Sequence, residues 1–161
     1  MPRTDFSQME CSIARTLDVI GERWALLIVR DAFYGVRRFD DFQRGLGVAR
    51  NVLTDRLNQL VAHGVFDRRR YQERPERYEY RLTPKGRDLL PVVLAMMRWG
   101  YRWANDDAAI PPLTVTHLTC GHDTTPVVAC SECGGELRLG EIVTDPIPFG
   151  PQANVPREVA V

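Results

Sequence analysis

Three of the four cysteines lie in one short stretch near the C-terminal end, Cys120-Gly-His122 followed by Cys130-Ser-Glu-Cys133-Gly-Gly. C-x-H and C-x-x-C-G-G together offer four sulfur and nitrogen donors, the number that a structural zinc ion takes in a tetrahedral site. Cys120, His122, Cys130 and Cys133 are therefore the candidate metal ligands, with His117 a competing ligand. Structural zinc is the one cofactor this pattern suggests; the alternative is a small hairpin without metal. An enzyme built on the cluster would need an open metal position with an acid or base beside it. Glu132 and Asp123 are present, but no segment able to form a cleft accompanies them, so no catalytic residue is assigned. A thioredoxin-like use of C-x-x-C would need a βαβ context that the flanking sequence lacks. The fourth cysteine, Cys11, precedes a helix start, where unpaired N–H groups and the helix dipole favour a thiolate. Glu10 beside it opposes that charge. On the residues alone Cys11 reads either as a reactive thiol or as a small residue packed at an interface.

Arginine supplies a second chemistry. Arg68, Arg69, Arg70, Arg74 and Arg77 fall on or beside a segment whose tip carries Pro75. Such cations can neutralise phosphates or enter the minor groove of duplex DNA. Alternation along a strand separates Arg68 and Arg70 from Arg69, so the three cannot share one face. Just upstream, Leu53, Leu57, Leu60 and Val61 form an apolar stripe at i, i+4, i+7 and i+8. Asn51, Asp55, Asn58 and Gln59 lie opposite, and Arg50 and Thr54 sit on the first turn. A helix fits the major groove, and side chains near its N-terminus reach base edges. The candidate DNA contacts are thus Arg50, Asn51, Thr54, Asp55 and Arg56 on the helix, and Arg68, Arg70, Arg74 and Arg77 on the hairpin. The alternative is an ordinary solvated face. Asp55 could orient Arg50 or Arg56 rather than face a phosphate, and Arg56 could pair with an acid at the core edge.

These residues need elements to place them. Ile13, Leu17 and Ile20, closed by Gly21, predict a first helix from Cys11. A second runs from about Glu22 to Phe33, apolar around much of its girth at Trp24, Leu27, Ile28 and Ala32, and so central. A short third helix covers Phe39 to Leu46, with Phe39, Phe42 and Leu46 inward and Gly45 and Gly47 in the turn that follows. The fourth spans about Ala49 to His63, with Gly64 as its C′ residue. VFDRRRY and YEYRLT predict two strands around the tip QERPER. A fifth helix opens with Thr83 as N-cap and Pro84 at N1, continues to about Asn105, and kinks at Pro91. Its apolar face is wider than a small core can cover, which points to a dimer interface through Leu89, Val93, Met96, Met97 and Trp103. Trp99 and Trp103 read as packing residues, with a ligand cage as the minority reading.

The expected class is mainly α with a small β-hairpin wing, a winged helix-turn-helix, followed by a small β-rich, cysteine-containing extension. The domain reading is a winged-helix DNA-binding and dimerisation domain over 1–108, an extension over 109–144 marked off by Pro111-Pro112, and a flexible tail over 145–161. The chain has 161 residues, 44% hydrophobic and 26% charged, with no net charge. That balance conceals a split: 19 Lys+Arg against 15 Asp+Glu in residues 1–108 leaves +4, and 2 against 6 in residues 109–161 leaves −4. Every basic residue but Lys85 is arginine, which suits bidentate phosphate and guanine recognition. The N-terminal residues lack the apolar stretch of a signal peptide, and PVVLAMM is too short to span a bilayer. The expected compartment is the cytoplasm, and no membrane partner is expected.

The stretches GERWALLIVRDAFYGVRRFDDFQRGLGVARNVLTDRLNQLVAHGVFDRR, ERPERYEYRLTPKG and LPVVLAMMRWG resemble the HxlR family of bacterial winged-helix regulators, relatives of the MarR group. Together they cover roughly residues 10–104, and a cysteine just before the first helix also fits that family. The resemblance implies a homodimer formed through the first and last helices, with two recognition helices reading half-sites of double-stranded DNA. It further implies one-component transcription regulation, as repressor or activator, in answer to a small-molecule or oxidant effector, with Cys11 as the candidate redox sensor. The extension after residue 108 is not part of the shared core. The rival readings are a winged-helix protein-interaction module and a zinc-dependent enzyme.

Overall fold

In a chain this short, glycines and prolines decide where each helix stops. The computed structural model describes Phe6, residues 8–105 and residues 114–142, and divides into two compact units, Met1–Val93 and Leu94–Val161. In the first unit, α1 (Ser12–Ile20) ends where the Gly21 N–H donates to the Leu17 carbonyl at 2.7 Å. Helix α2 (Ala25–Phe33) starts later than the sequence suggests, because residues 22–24 form a turn that the Ala25 N–H closes onto the Glu22 carbonyl at 2.9 Å. It is the central element, with Ile28 and Val29 wholly buried. Helix α3 (Phe39–Leu46) is followed by Gly47 at φ 61°, a left-handed conformation that glycine adopts without steric cost. Helix α4 (Arg50–Ala62) ends in a Schellman motif: the Gly64 N–H bonds the Val61 carbonyl and the Val65 N–H bonds the Leu60 carbonyl, with Gly64 at φ 70°.

Strands β1 (Phe66–Gln72) and β2 (Arg77–Leu82) pair antiparallel, with Arg68 opposite Tyr80 and Arg70 opposite Tyr78. Arg38 adds a single β-bridge to Glu79, and the Tyr80 N–H donates to the Arg37 carbonyl at 2.7 Å. The base of the hairpin is thereby tied to the start of the helix-turn-helix. Phe42 and Phe66 meet edge to face at 6.5 Å in the core, where Leu53, Leu57 and Leu60 of α4 also lie buried. Burial of that leucine stripe fixes which face of α4 remains in solvent.

The expected kinked fifth helix is two helices. Thr83 caps α5 (Pro84–Arg87) by accepting the Gly86 N–H at 3.1 Å, and α6 (Leu90–Trp103) begins after a turn at residues 88–89. Pro91 has no N–H to offer the carbonyl of Arg87, so the chain breaks before it and restarts with proline in the first turn. Leu89 and Val93, expected in a dimer seam, pack against the core of their own unit.

In the second unit, β3 (Val115–His117) pairs antiparallel with β4 (His122–Thr124), and Ala129 forms a bridge with Glu136. Arg98 of α6 donates to the Pro126 carbonyl at 3.3 Å and to Glu136 at 2.9 Å. The guanidinium bonds from Arg98 and Arg138 hold the Glu136 carboxyl below the usual carboxylate range. The Pro111-Pro112 boundary and the expected tail from residue 145 lie outside the described residues. Among the described residues no helix is long and apolar enough to cross a membrane.

Candidate nucleic-acid interface

With its leucines buried, α4 exposes Arg50, Asn51, Thr54, Asp55 and Asn58 along one side. Arg50 begins the helix. Its guanidinium lies 4.7 Å from the centre of the Phe39 ring and 3.7 Å from Asp40. Thr54 donates its hydroxyl proton to the Arg50 carbonyl at 2.8 Å, which holds the side chain against the first turn. Arg56 is different. Its side chain is only 20% exposed, sits 3.4 Å from Glu22 and donates to Gln59 at 2.7 Å. This placement matches the alternative of a pair with a core-edge acid, Glu22 lying in the turn just ahead of α2.

The wing splits its arginines by face. Arg68 stacks on Tyr78, 3.7 Å from the ring centre, on the same side of the hairpin as buried Phe66 and Tyr80. Burial pushes the Tyr80 hydroxyl above its ordinary pKa, and the positive charge of Arg68 partly offsets that rise. On the opposite face, Arg69 pairs with Asp67 at 3.4 Å and Arg81 with Glu79 at 2.8 Å. Arg70 is held between Glu73 at 3.6 Å and Glu76 at 3.3 Å. Among the described residues, neither Arg74 nor Arg77 at the tip has a carboxylate partner.

Between α4 and the wing lies an open cleft of about 510 Å³. Arg38, Arg50, Arg68 and Arg77 stand around it, with Thr54 and Asn58 from α4 on its wall. Phe39, Tyr71 and Tyr78 carry three of those guanidinium groups on their faces, Arg38 lying 4.9 Å from the Tyr71 ring centre. Stacking of this kind keeps a guanidinium planar and ordered while its N–H donors stay available. The arrangement can accept a polyanion along its rim and present amide and guanidinium donors to groups at its floor. Sequence reasoning passed over Arg38, Asn58, Tyr71 and Tyr78 as site residues. The Arg37-Arg38 pair just ahead of α3 was the available signal, but its partner Tyr71 is brought to it only by the hairpin.

Two other expectations can be placed. Cys11 occupies the N-cap of α1 in extended conformation, with its sulfhydryl free and part-exposed. In the second unit, His117 Nδ1 stands 3.3 Å from Cys120 Sγ, while His122 is the register partner of His117 on β4. Among the described residues, no three His, Cys, Asp or Glu side chains are grouped tightly enough to hold a metal ion.

The model of the HxlR-like helix-turn-helix family matches residues 19–108. An HTH-type transcriptional regulator of Mycobacterium tuberculosis is 44% identical over 137 residues, which is 85% of this chain and 86% of that one. Among solved structures, PA1607, a candidate transcription factor, superposes with a TM-score of 0.77 at 36% identity, covering 89% of this chain and all of that one. The redox regulator HypR in its reduced form matches with a TM-score of 0.55 at 36% identity, over 61% of this chain and 96% of that one.

Proposed function

The chain belongs to the HxlR-like helix-turn-helix family of transcription regulators, and from that premise we propose that it binds duplex DNA sequence-specifically as a homodimer. In this reading α4 enters the major groove and the β1–β2 wing lies along the flanking phosphates. One observation carries it: the cleft between α4 and the wing is ringed by Arg38, Arg50, Arg68 and Arg77, three of them pre-ordered on aromatic rings. Asp40 lies beside Arg50, and Glu73 and Glu76 flank the neighbouring wing cation Arg70, so carboxylates occupy two arginines of this face in the free protein. Phosphates and guanine edges must outcompete them, which penalises loose, non-specific docking.

Two half-sites require two copies. The apolar side chains that α1 and α6 leave in solvent, Ile13 and Leu17 on the one and Met96, Trp99 and Trp103 on the other, supply the surface for an isologous contact. The likeness to a redox regulator and the free thiol of Cys11 at the α1 N-cap favour an oxidant as the signal. An α1 displaced by oxidation at Cys11 would alter the spacing of the two recognition helices.

Fluorescence anisotropy with a labelled duplex from the region upstream of its own gene tests the DNA reading. Saturable binding that falls steeply between about 50 and 200 mM salt, and weaker binding to an unrelated duplex, are expected. No binding to either duplex at the lowest salt would leave a winged-helix protein-interaction module as the better reading.

A further inference from the structure

The DNA-binding face makes no use of the cysteines after Thr119. From the geometry of that segment we propose that it holds one structural zinc ion, ligated by His117, Cys120, Cys130 and Cys133. This set replaces His122 by His117.

The reason lies in two matching turns. His117-Leu-Thr-Cys120-Gly121 and Cys130-Ser-Glu-Cys133-Gly134 share one spacing, a donor, two residues, a cysteine and a glycine. They also share one backbone conformation. Gly121 donates its N–H to the His117 carbonyl at 2.8 Å, and Gly134 donates its N–H to the Cys130 carbonyl at 2.9 Å. Both glycines stand at φ 72°, the left-handed region that lets the chain double back immediately after the cysteine. Doubling back brings the two donors of each turn to one side. His117 Nδ1 accordingly lies 3.3 Å from Cys120 Sγ. In the second turn the Gly135 N–H points at Cys133 Sγ from 3.4 Å, a donor suited to a metal-bound thiolate. His122 lies on the far side of the Gly121 turn, as the register partner of His117 across β3 and β4.

A second, independent observation is that no buried apolar residue among those described in 114–142 supports these turns. Every buried apolar residue found among the described residues lies at or before Tyr80. Within 114–142, Leu118 and Leu139 are almost wholly exposed, and Val127 and Val128 are more than half exposed. About 30 residues cannot build a self-sufficient core, and natural segments of that size are commonly held by disulfides or a metal. The cysteines here are free. Two preformed pairs of donors, drawn together on one ion, would close the segment where hydrophobic burial does not. Three thiolates and one imidazole suit zinc, whereas calcium and magnesium take oxygen. Binding releases the thiol protons to solvent, so affinity should fall as pH drops.

The test uses the full, untagged, reduced chain. Elemental analysis should find about one zinc per chain, and titration with cobalt(II) chloride should give the intense visible absorption of a tetrahedral, thiolate-ligated ion. His117→Ala and Cys130→Ser should each lose the metal, and His122→Ala should keep it. Circular dichroism of each variant checks that the helical core remains folded, which separates loss of a ligand from loss of the fold. Less than about 0.2 zinc per chain with all thiols reduced, and no cobalt band, would overturn the proposal. So would metal retained by His117→Ala and lost by His122→Ala.

Discussion

In the proposed DNA complex arginine would do two jobs, and the partner each guanidinium already holds separates them. Arg74 and Arg77 project from the wing tip without a carboxylate partner among the described residues, so they offer charge rather than fixed geometry. Replacing either by alanine should weaken binding to every duplex about equally and lower the salt slope by roughly one unit. Arg50 is held between Phe39 and Asp40 at the first turn of α4, and in the proposed complex it would meet a base edge. Arg50→Ala should cost about 1–3 kcal/mol against the preferred sequence and flatten the preference between sequences. Competition titrations with mutated duplexes measure both; a changed preference in Arg74→Ala with none in Arg50→Ala would reverse the roles. Arg56 belongs to neither group. Its Nε is buried without a partner while its other nitrogens engage Glu22 and Gln59. Arg56→Ala should leave Glu22 unmatched at the core edge and lower stability by about 1–2 kcal/mol, discounted for the half-exposed carboxylate. Denaturant unfolding should show that loss, with DNA affinity per folded molecule nearly unchanged.

Element by element, the segment that joins the wing to the last helix carries more than its length suggests. Thr83 accepts the Gly86 N–H and donates its hydroxyl to the Gly64 carbonyl at 2.6 Å, while Lys85 Nζ donates to the His63 carbonyl at 2.7 Å. Helix α5 thus closes the C-terminal end of α4, where a cation also meets the negative end of the helix dipole. Gly86 is what permits the approach, since a Cβ there would collide with the Val65 carbonyl oxygen. Gly86→Ala should therefore destabilise the protein by about 1–3 kcal/mol, although alanine is ordinarily the better helix former. A thermal midpoint equal to or above that of the parent would show that α5 can shift without loss.

For the whole molecule, the partner we propose is a second copy. Helix α6 has no buried residue, and Trp99 and Trp103 are 63% and 62% exposed. Aromatic surface of that extent in a single chain is uncommon unless something covers it. Light scattering at micromolar concentration should give about twice the 18.4 kDa of one chain, and Trp99→Glu together with Trp103→Glu should shift it toward one. A monomeric parent would remove the model of two half-sites. The seam would differ from the one read along the sequence, because Leu89 and Val93 already serve their own core and only the outer residues of the stripe remain.

Local sequence determined a good deal here. Period and punctuation placed α1, α3, α4 and the hairpin within a residue or two, because the leucine stripe, the glycines at 47 and 64 and the alternation of residues 66–82 act over a few neighbours. The same signals, read with the family resemblance, sufficed for a winged helix-turn-helix. The tertiary structure decided what depends on residues far apart in the chain. Arg56 meets Glu22, far off in the chain, because the packing of α2 on α4 brings them together. Arg38 joined the cleft because Tyr71 folds back over it, more than thirty positions later in the chain. Spacing lists which side chains are available to one another, and the path of the backbone selects among them.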